Sequence, residues 1–336
     1  NKPTIGLINV VMDGDYQYEQ ELPLGLAAIG AFLRQEGYRV IFKQCFASRG
    51  EKEYDSSSKV EADIYGFQLN MANYRQVTEV VKKIKSLRKD AITVFGGPFL
   101  TSLSEGILEN ESLFDFIVLG EGESTIYELL KAIESGKREF SSINGLVWRD
   151  ESGKIIKNAF RSLIPDLDIL PFLARDFLDS AGRDPHDNGM IESVRVVTSR
   201  GCVGRCSFCC VNLYNKVQPG KRWRGRSPKN VVDELEYLSK TFKAKIFNFS
   251  DSSFEDPGEI GKKRTREICE EIIRRHIPLS AKIYMRCETM KTESDIELLK
   301  LYKRAGIDII IIGAEAGSDY ELKLYEKHAT LEDNYR

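Results

Sequence analysis

The sequence predicts an α/β protein of two parallel-sheet units in tandem, the first a doubly wound sheet and the second a partial barrel of strand-helix repeats. Three observations predict it. Short apolar runs rich in β-branched residues alternate with helical-period segments from residue 4 to residue 135, the pattern of a parallel sheet covered by helices. The alternation lapses over residues 161–190, where Pro, Asp and Gly gather, and resumes at residue 194. The length, 336 residues, suffices for two domains of roughly 100 to 200 residues each.

The first unit is expected over residues 1–160. Residues 4–11 read as a buried strand and give way to a polar turn at 13–21. Residues 23–36 set Leu26, Ile29 and Leu33 at helical spacing, with Pro23 near the start and Gly37 just past the end, so both helix stops are marked. Strands follow at 39–42, 63–69, 92–95 and 116–119, with helices at 76–87 and 124–135 between the later ones. Residues 143–148 and 154–157, separated by Arg149-Asp150-Glu151-Ser152-Gly153, form a closing hairpin. Residues 161–190 read as a linker.

The second unit, residues 191–336, alternates strands at 194–198, 245–249, 280–286 and 307–313 with helices at 228–241, 261–275 and 294–305. Four strand-helix units are too few for a closed eight-unit barrel. The expectation is a partial barrel, in a chain trimmed at its start and stopping before the barrel is complete.

Composition narrows the function. The 49 Lys+Arg against 51 Asp+Glu leave a formal charge of -2, so no global field draws the protein onto nucleic acid or an anionic membrane. The longest apolar stretches, such as 307–313 with its Asp308, fall far below the roughly 20 residues that span a bilayer. The chain opens on Asn1 without an export signal. Seven cysteines, three of them crowded into residues 202–209, favour a reducing compartment and metal chemistry over a disulfide framework. A cytoplasmic protein acting on a small molecule or peptide is expected, with no membrane or nucleic-acid partner. Lys216, Lys221, Arg222, Arg224, Arg226 and Lys229 around Trp223 could suggest a nucleic-acid patch, but the balanced charge favours a solvated basic loop.

Residues 201–210 read GCVGRCSFCC, which sets Cys202, Cys206 and Cys209 at Cys-x3-Cys-x2-Cys just after a predicted strand. One loop can therefore wrap three thiolates around one metal face. Soft thiolates suit iron-sulfur clusters or zinc. A structural zinc site would be closed by four ligands, and Cys210, adjacent to Cys209, points elsewhere. Three ligands on a four-iron cluster leave one iron open to a small chelating molecule.

This loop, with Phe208 as the aromatic of Cys-x3-Cys-x-aromatic-Cys, resembles the radical S-adenosylmethionine superfamily. Trp223 to Pro228, Asn248 to Phe254 and Ile312 to Ser318 resemble members with cobalamin domains, so the likeness spans almost the whole chain. It implies a 4Fe-4S cluster on Cys202, Cys206 and Cys209, S-adenosylmethionine on the open iron, and Phe208 beside the adenine. By position, Ser250 and Asp251 are expected to meet the amino group of S-adenosylmethionine. Arg286 and Glu315, at later strand ends, are expected to line the same mouth, where parallel barrels place their chemistry. Strand ends are also turn positions, and capping is the plainer role for Asp251 and Glu315.

In the first unit, Gly96-Gly97-Pro98 and Gly120-Glu121-Gly122-Glu123 follow the fourth and fifth strands. Doubly wound sheets bind ligands at such ends, although simple turn geometry also explains glycine there. Together with Leu22 to Leu26 and the cysteine loop, the set resembles the cobalamin-binding domain of cobalamin-dependent radical enzymes. Pro23, Gly97 and Gly120 would then contact the corrin. No histidine occurs at 13–21 to supply a lower axial ligand. The segment 184–189, DPHDNG, has an Asp-x-His-x-x-Gly pattern but lies in the linker, and is read as a chance match. Methylthiotransferases of transfer RNA carry a second three-cysteine cluster in their first domain, where this chain has Cys45 alone.

The resemblance thus implies an N-terminal doubly wound, Rossmann-like cobalamin-binding domain followed by a partial (β/α) TIM-like radical S-adenosylmethionine barrel. The implied enzyme is a methyltransferase that moves a methyl group from methylcobalamin to an unactivated carbon or phosphorus, after a 5'-deoxyadenosyl radical has removed a hydrogen. A reductant such as flavodoxin or ferredoxin would serve it. The alternatives are a radical cyclase, ring-contraction or rearrangement enzyme, and a non-catalytic metal-stabilised cobalamin-binding scaffold.

Overall fold

The computed structural model describes residues 2–12, 22–177 and 193–336. The polar turn at 13–21 and the pattern at 184–189 lie outside the described residues. The chain divides into two compact units, Asn1–Leu163 with Leu170–Asp184, and Ile164–Ile169 with Pro185–Arg336.

The first unit runs β1 (Thr4–Val11), α1 (Leu24–Gln35), β2 (Arg39–Phe46), α2 (Glu51–Ser58), β3 (Ile64–Gln68), α3 (Tyr74–Leu87), β4 (Ile92–Gly96), α4 (Leu100–Asn110), β5 (Phe116–Val118), α5 (Glu123–Glu134), β6 (Leu146–Arg149) and β7 (Ile155–Lys157). Its sheet has the order β2-β1-β3-β4-β5-β6-β7. The first five strands are parallel, and β6 and β7 add antiparallel to β5. The order reverses between β1 and β3, and sheets of this kind bind ligands outside the carboxyl ends of their strands at that switch point. Val77, Val80, Val81 and Ile84 make the buried stripe of α3, and Phe95 stacks between Phe67 and Phe114 in the core beneath it.

Two helices of the first unit escape the sequence reading for a physical reason. The segment of α2, EKEYDSSS, buries only Ser57 and Ser58, so no apolar stripe marks it. In α4, Thr101 and Ser104 share the buried face with Leu100, Ile107 and Leu108, which blurs the 3.6-residue period. Strand β2 also continues past the predicted residue 42, because its polar Gln44 is buried and accepts from Asn9 Nδ2 on β1 at 3.1 Å.

The described part of the expected linker is held by ordinary contacts. In the second unit, Arg224 donates to Ile164 O at 3.0 Å and the Ser227 N–H to Asp168 Oδ1 at 2.9 Å. In the first, Arg34 grips both oxygens of Asp176 at 2.8 Å.

The second unit runs β8 (Ser193–Val196), β9 (Ser199–Gly201), α6 (Cys210–Val217), β10 (Trp223–Gly225), α7 (Pro228–Phe242), β11 (Ile246–Phe249), α8 (Gly258–Arg274), β12 (Ser280–Arg286), α9 (Glu293–Arg304), β13 (Ile307–Gly313), α10 (Asp319–Leu324) and α11 (Leu331–Tyr335). Strands β8, β11, β12 and β13 lie side by side in chain order, all parallel, as the first staves of a (β/α) barrel do. Helix α7 starts where its sequence says: the Ser227 hydroxyl accepts from Asn230 N, and Pro228 occupies the first turn. Among the described residues no helix is long and apolar enough to cross a membrane.

Candidate functional site

The predicted strand 194–198 stops at Val196 because the next residues are drawn to a buried carboxylate. Asp251, just past β11, is only 3% exposed. It accepts from Thr198 N at 2.7 Å, Ser199 N at 3.0 Å and the Thr198 hydroxyl. The Arg264 guanidinium supplies the opposing charge and itself donates to Thr198 O at 2.6 Å and Arg226 O at 2.8 Å. Burial pushes the Asp251 carboxyl above its ordinary range, against the pull of Arg264 and Thr198. The expectation that Asp251 faces a ligand's amino group therefore meets a carboxylate already engaged in bending the chain from β8 into β9. Its neighbour Ser250 accepts from Arg195 Nε at 3.1 Å.

Strand β9 pairs antiparallel with β10, Trp223 opposite Gly201, and delivers the chain to Cys202. Gly201 has φ +85°, and a Cβ there would stand 1.8 Å from Arg222 O. Only glycine fits. Gly201→Ala is expected to lower the unfolding free energy by more than about 2 kcal/mol and to lower iron uptake with it; a denaturant titration unchanged from wild type would contradict this.

The loop from Cys202 to Cys209 is held from α6, which has Cys209 as its N-cap. Asn212, buried, donates to Arg205 O at 2.8 Å and Cys206 O at 3.2 Å, and Asn215 donates to Cys202 O at 2.8 Å. Sequence reading missed both. Their signal is two asparagines three residues apart on the helix that the cysteine motif opens, facing one way. Within the loop the Gly204 N–H donates to Cys202 Sγ at 3.2 Å, and a Cβ on Gly204 would lie 3.3 Å from Cys202 Sγ and 3.9 Å from Cys206 Sγ. The bare backbone at Gly204 thus forms a floor between two thiols. None of the seven cysteines is in a disulfide.

Burial pushes the Cys202 thiol up to about 11 and the Cys206 thiol up as well, so each needs a metal to become the thiolate ligand. Among the described residues no three His, Cys, Asp or Glu side chains are gathered as a single-ion cage. Tetrahedral zinc with Zn–S near 2.3 Å would hold thiolates about 3.8 Å apart. Ligands on three different irons of a cluster stand wider. The bare floor and the all-sulfur donor set fit a cluster.

Two charged groups border the loop. Cys202 Sγ is 3.9 Å from Asp256 Oδ2, and Asp256, buried, takes Arg286 Nη1 at 3.2 Å on both oxygens. Arg286, the last residue of β12, also donates through Nε to Glu288 at 2.8 Å. Glu255, buried beside Asp256, accepts from Ser253 at 2.8 Å, Thr289 at 2.9 Å and the Arg286 amide at 3.2 Å. On the other side, Glu315, at φ +66° past β13, accepts from the buried Lys327 at 3.4 Å. Asp256, Glu288 and Lys327 were not singled out in the sequence, since nothing local distinguishes them. Phe208 is 55% exposed and meets Tyr325 edge-on at 5.7 Å. The structure therefore brings Cys202, Cys206, Cys209, Phe208 and Arg286 to one end of the parallel sheet, with Glu315 at the end of β13.

In the first unit, Pro23 is the N-cap of α1. Gly97, φ +131°, follows β4 and packs on the chain after β3: its Cβ would lie 2.8 Å from Leu69 O. Gly120, φ +71°, follows β5. All three positions flank carboxyl strand ends or the helix entering from them. Just beyond Gly97, the hydroxyls of Thr101 and Ser104 are buried without a partner among the described residues, polar atoms that fit the polar tail of a corrin at this end of the sheet.

The families described as B12 binding domain and Radical SAM superfamily match residues 17–130 and 196–336. The chain is 30% identical over 312 residues to an uncharacterized methyltransferase of Pyrococcus horikoshii, covering 92% of this chain and 64% of that protein. It is 28% identical over 313 residues to the anaerobic magnesium-protoporphyrin IX monomethyl ester cyclase of a Synechocystis species, covering 92% and 60%. The chain therefore spans about three fifths of the length of these relatives. Among solved structures, the cobalamin-dependent S-adenosylmethionine radical enzyme OxsB with aqua-cobalamin superposes with a TM-score of 0.80 at 23% identity, over 99% of this chain and 46% of that one. The radical S-adenosylmethionine methyltransferase TsrM of Kitasatospora setae gives 0.73 at 20%, over 99% and 66%. Along one polypeptide, residues 17–130 belong to the B12 binding domain family and residues 196–336 to the radical S-adenosylmethionine superfamily.

Proposed function

We propose that the chain is the cofactor-bearing part of a radical S-adenosylmethionine methyltransferase that uses cobalamin. The observation that carries the reading is the thiol floor at Gly204, set where β9 delivers Cys202 to the carboxyl end of the sheet. When bound, the cluster supplies one-electron reduction of S-adenosylmethionine, and the cobalamin supplies a carrier for its methyl group.

Cys202, Cys206 and Cys209 hold the cluster. Phe208, largely exposed beside the loop, offers a flat apolar face to an adenine. Arg286 stands at the mouth with its guanidinium fixed by Asp256 and Glu288, and lines the site as a group already held in place. Glu315, partly exposed and anchored to Lys327, is the carboxylate nearest the end of β13 able to accept from an ammonium. Ser250 and Asp251 act from behind, through Arg195 and Thr198. At the first sheet, Pro23, Gly97 and Gly120 shape the rim that takes the corrin, and Thr101 and Ser104 offer hydroxyls to its tail. A small molecule or peptide is the substrate class, flavodoxin or ferredoxin the reductant, and a reducing cytoplasm the setting that suits seven unpaired thiols.

A radical cyclase is the second reading, favoured by the likeness to the magnesium-protoporphyrin cyclases. Full-length chain, purified anaerobically with iron, sulfide and cobalamin and given dithionite and S-adenosylmethionine, decides between them. Formation of both 5'-deoxyadenosine and S-adenosylhomocysteine supports methyl transfer. The first product alone supports the cyclase. Neither product from a protein holding its cluster overturns both in favour of a cofactor-binding scaffold.

A further inference from the structure

The turn after α10 is fastened to the cysteine loop at two points. The Ser207 N–H donates to Tyr325 O at 2.9 Å, and the Phe208 ring meets Tyr325 edge-on. Glu326 then takes φ +53° and the Lys327 N–H returns to Leu322 O at 3.0 Å, which turns the lysine side chain inward. Lys327 is 6% exposed. Its ammonium lies over the end of β13, where a Cβ on Gly313 would be 3.1 Å from Nζ.

An ammonium withdrawn from water costs several kcal/mol unless close anions compensate it. Glu315 does so weakly, at 3.4 Å and with its side chain 36% exposed. Arg286, the other cation bordering the loop, is held by two carboxylates, Asp256 and Glu288. Lys327 is therefore the cation with charge to spare, and it stands two residues after Tyr325, which is bound to Ser207 and packed on Phe208 between Cys206 and Cys209. Thiolate ligation leaves a cluster site net negative, and each added electron makes it more so, hence a fixed cation beside it favours the reduced state.

We propose that Lys327 is a positioning residue of the cluster site, the counter-ion that raises the cluster's reduction potential, latched in place by the contacts of Tyr325 with Ser207 and Phe208. The proposal rests on the assignment of a cluster to Cys202, Cys206 and Cys209. The test is an anaerobic redox titration of the reconstituted full chain, followed by electron paramagnetic resonance without S-adenosylmethionine. Lys327→Met is expected to make one-electron reduction about tenfold less favourable, a potential about 59 mV lower, while Lys327→Arg keeps the wild-type value. Glu315→Gln, which frees the ammonium of its partner, should move the potential upward. A Met variant with its cluster intact and its potential unchanged overturns the proposal, as does an equal drop in the Arg variant, which would mark a packing effect. If the Met variant loses its iron, Glu315→Gln decides alone, and no upward shift overturns the proposal. A wild-type chain that takes up no cluster overturns the cluster assignment, and the role of the lysine with it.

Discussion

Cys206→Ala is expected to strip the chain of its iron and bring 5'-deoxyadenosine formation to background, with the fold retained. Three thiolates already leave one iron of a cluster without a protein ligand; removing a second anchor exposes two irons to solvent and reductant. The substitution leaves the backbone ties of the loop in place, since Asn212 binds the Cys206 carbonyl rather than its sulfur. Cys210→Ala is the control. Cys210 is exposed at the first position of α6, so its loss should change neither iron content nor turnover. A site closed by four cysteines would respond to both substitutions alike. Iron and turnover that survive in the Cys206 variant would sink the assignment.

Asp251→Ala should destabilise the second unit by about 3–5 kcal/mol, the usual cost of removing one member of a buried charged network. The truncation leaves two amides and a hydroxyl without their acceptor and the buried Arg264 guanidinium without its opposing charge, and each buried donor left unmade carries its own penalty. Asp251→Asn retains one oxygen for the amides and should cost less. Because Thr198 and Ser199 lead through β9 directly to Cys202, the alanine variant should also take up iron poorly. Urea unfolding of both variants measures the effect. A loss below about 1 kcal/mol, the range of a surface substitution, would show that Asp251 is free to serve a ligand instead.

Asp251 also shows where local reading ends. A carboxylate at the end of a parallel strand can face the mouth of the barrel or fold back beneath it, and both produce the same sequence. The choice was made by residues 198 and 199, fifty positions upstream, whose amides need an acceptor once β8 ends. Arg286 and Glu315 were legible as strand-end residues, but what fixes them was not: Asp256, Glu288 and Lys327 acquire meaning only when β11, β12 and the turn after α10 are side by side. The asparagines of α6 were closer to legible, because their spacing from the cysteines is local.

The sequence alone determined the order and type of most strands, the helices with clean apolar stripes, and the three cysteines, because period and spacing are properties of a few neighbouring residues. It also carried the likeness to cobalamin-dependent radical enzymes. It missed α2 and α4, whose buried faces are built with serine and threonine, and the short helices α6, α10 and α11 and the hairpin of β9 and β10, too brief for any period to show. Tertiary structure decided which charges meet. An ion pair or a buried carboxylate depends on distance through space, and the residues that settle it are tens of positions apart in the chain, where no local pattern records them.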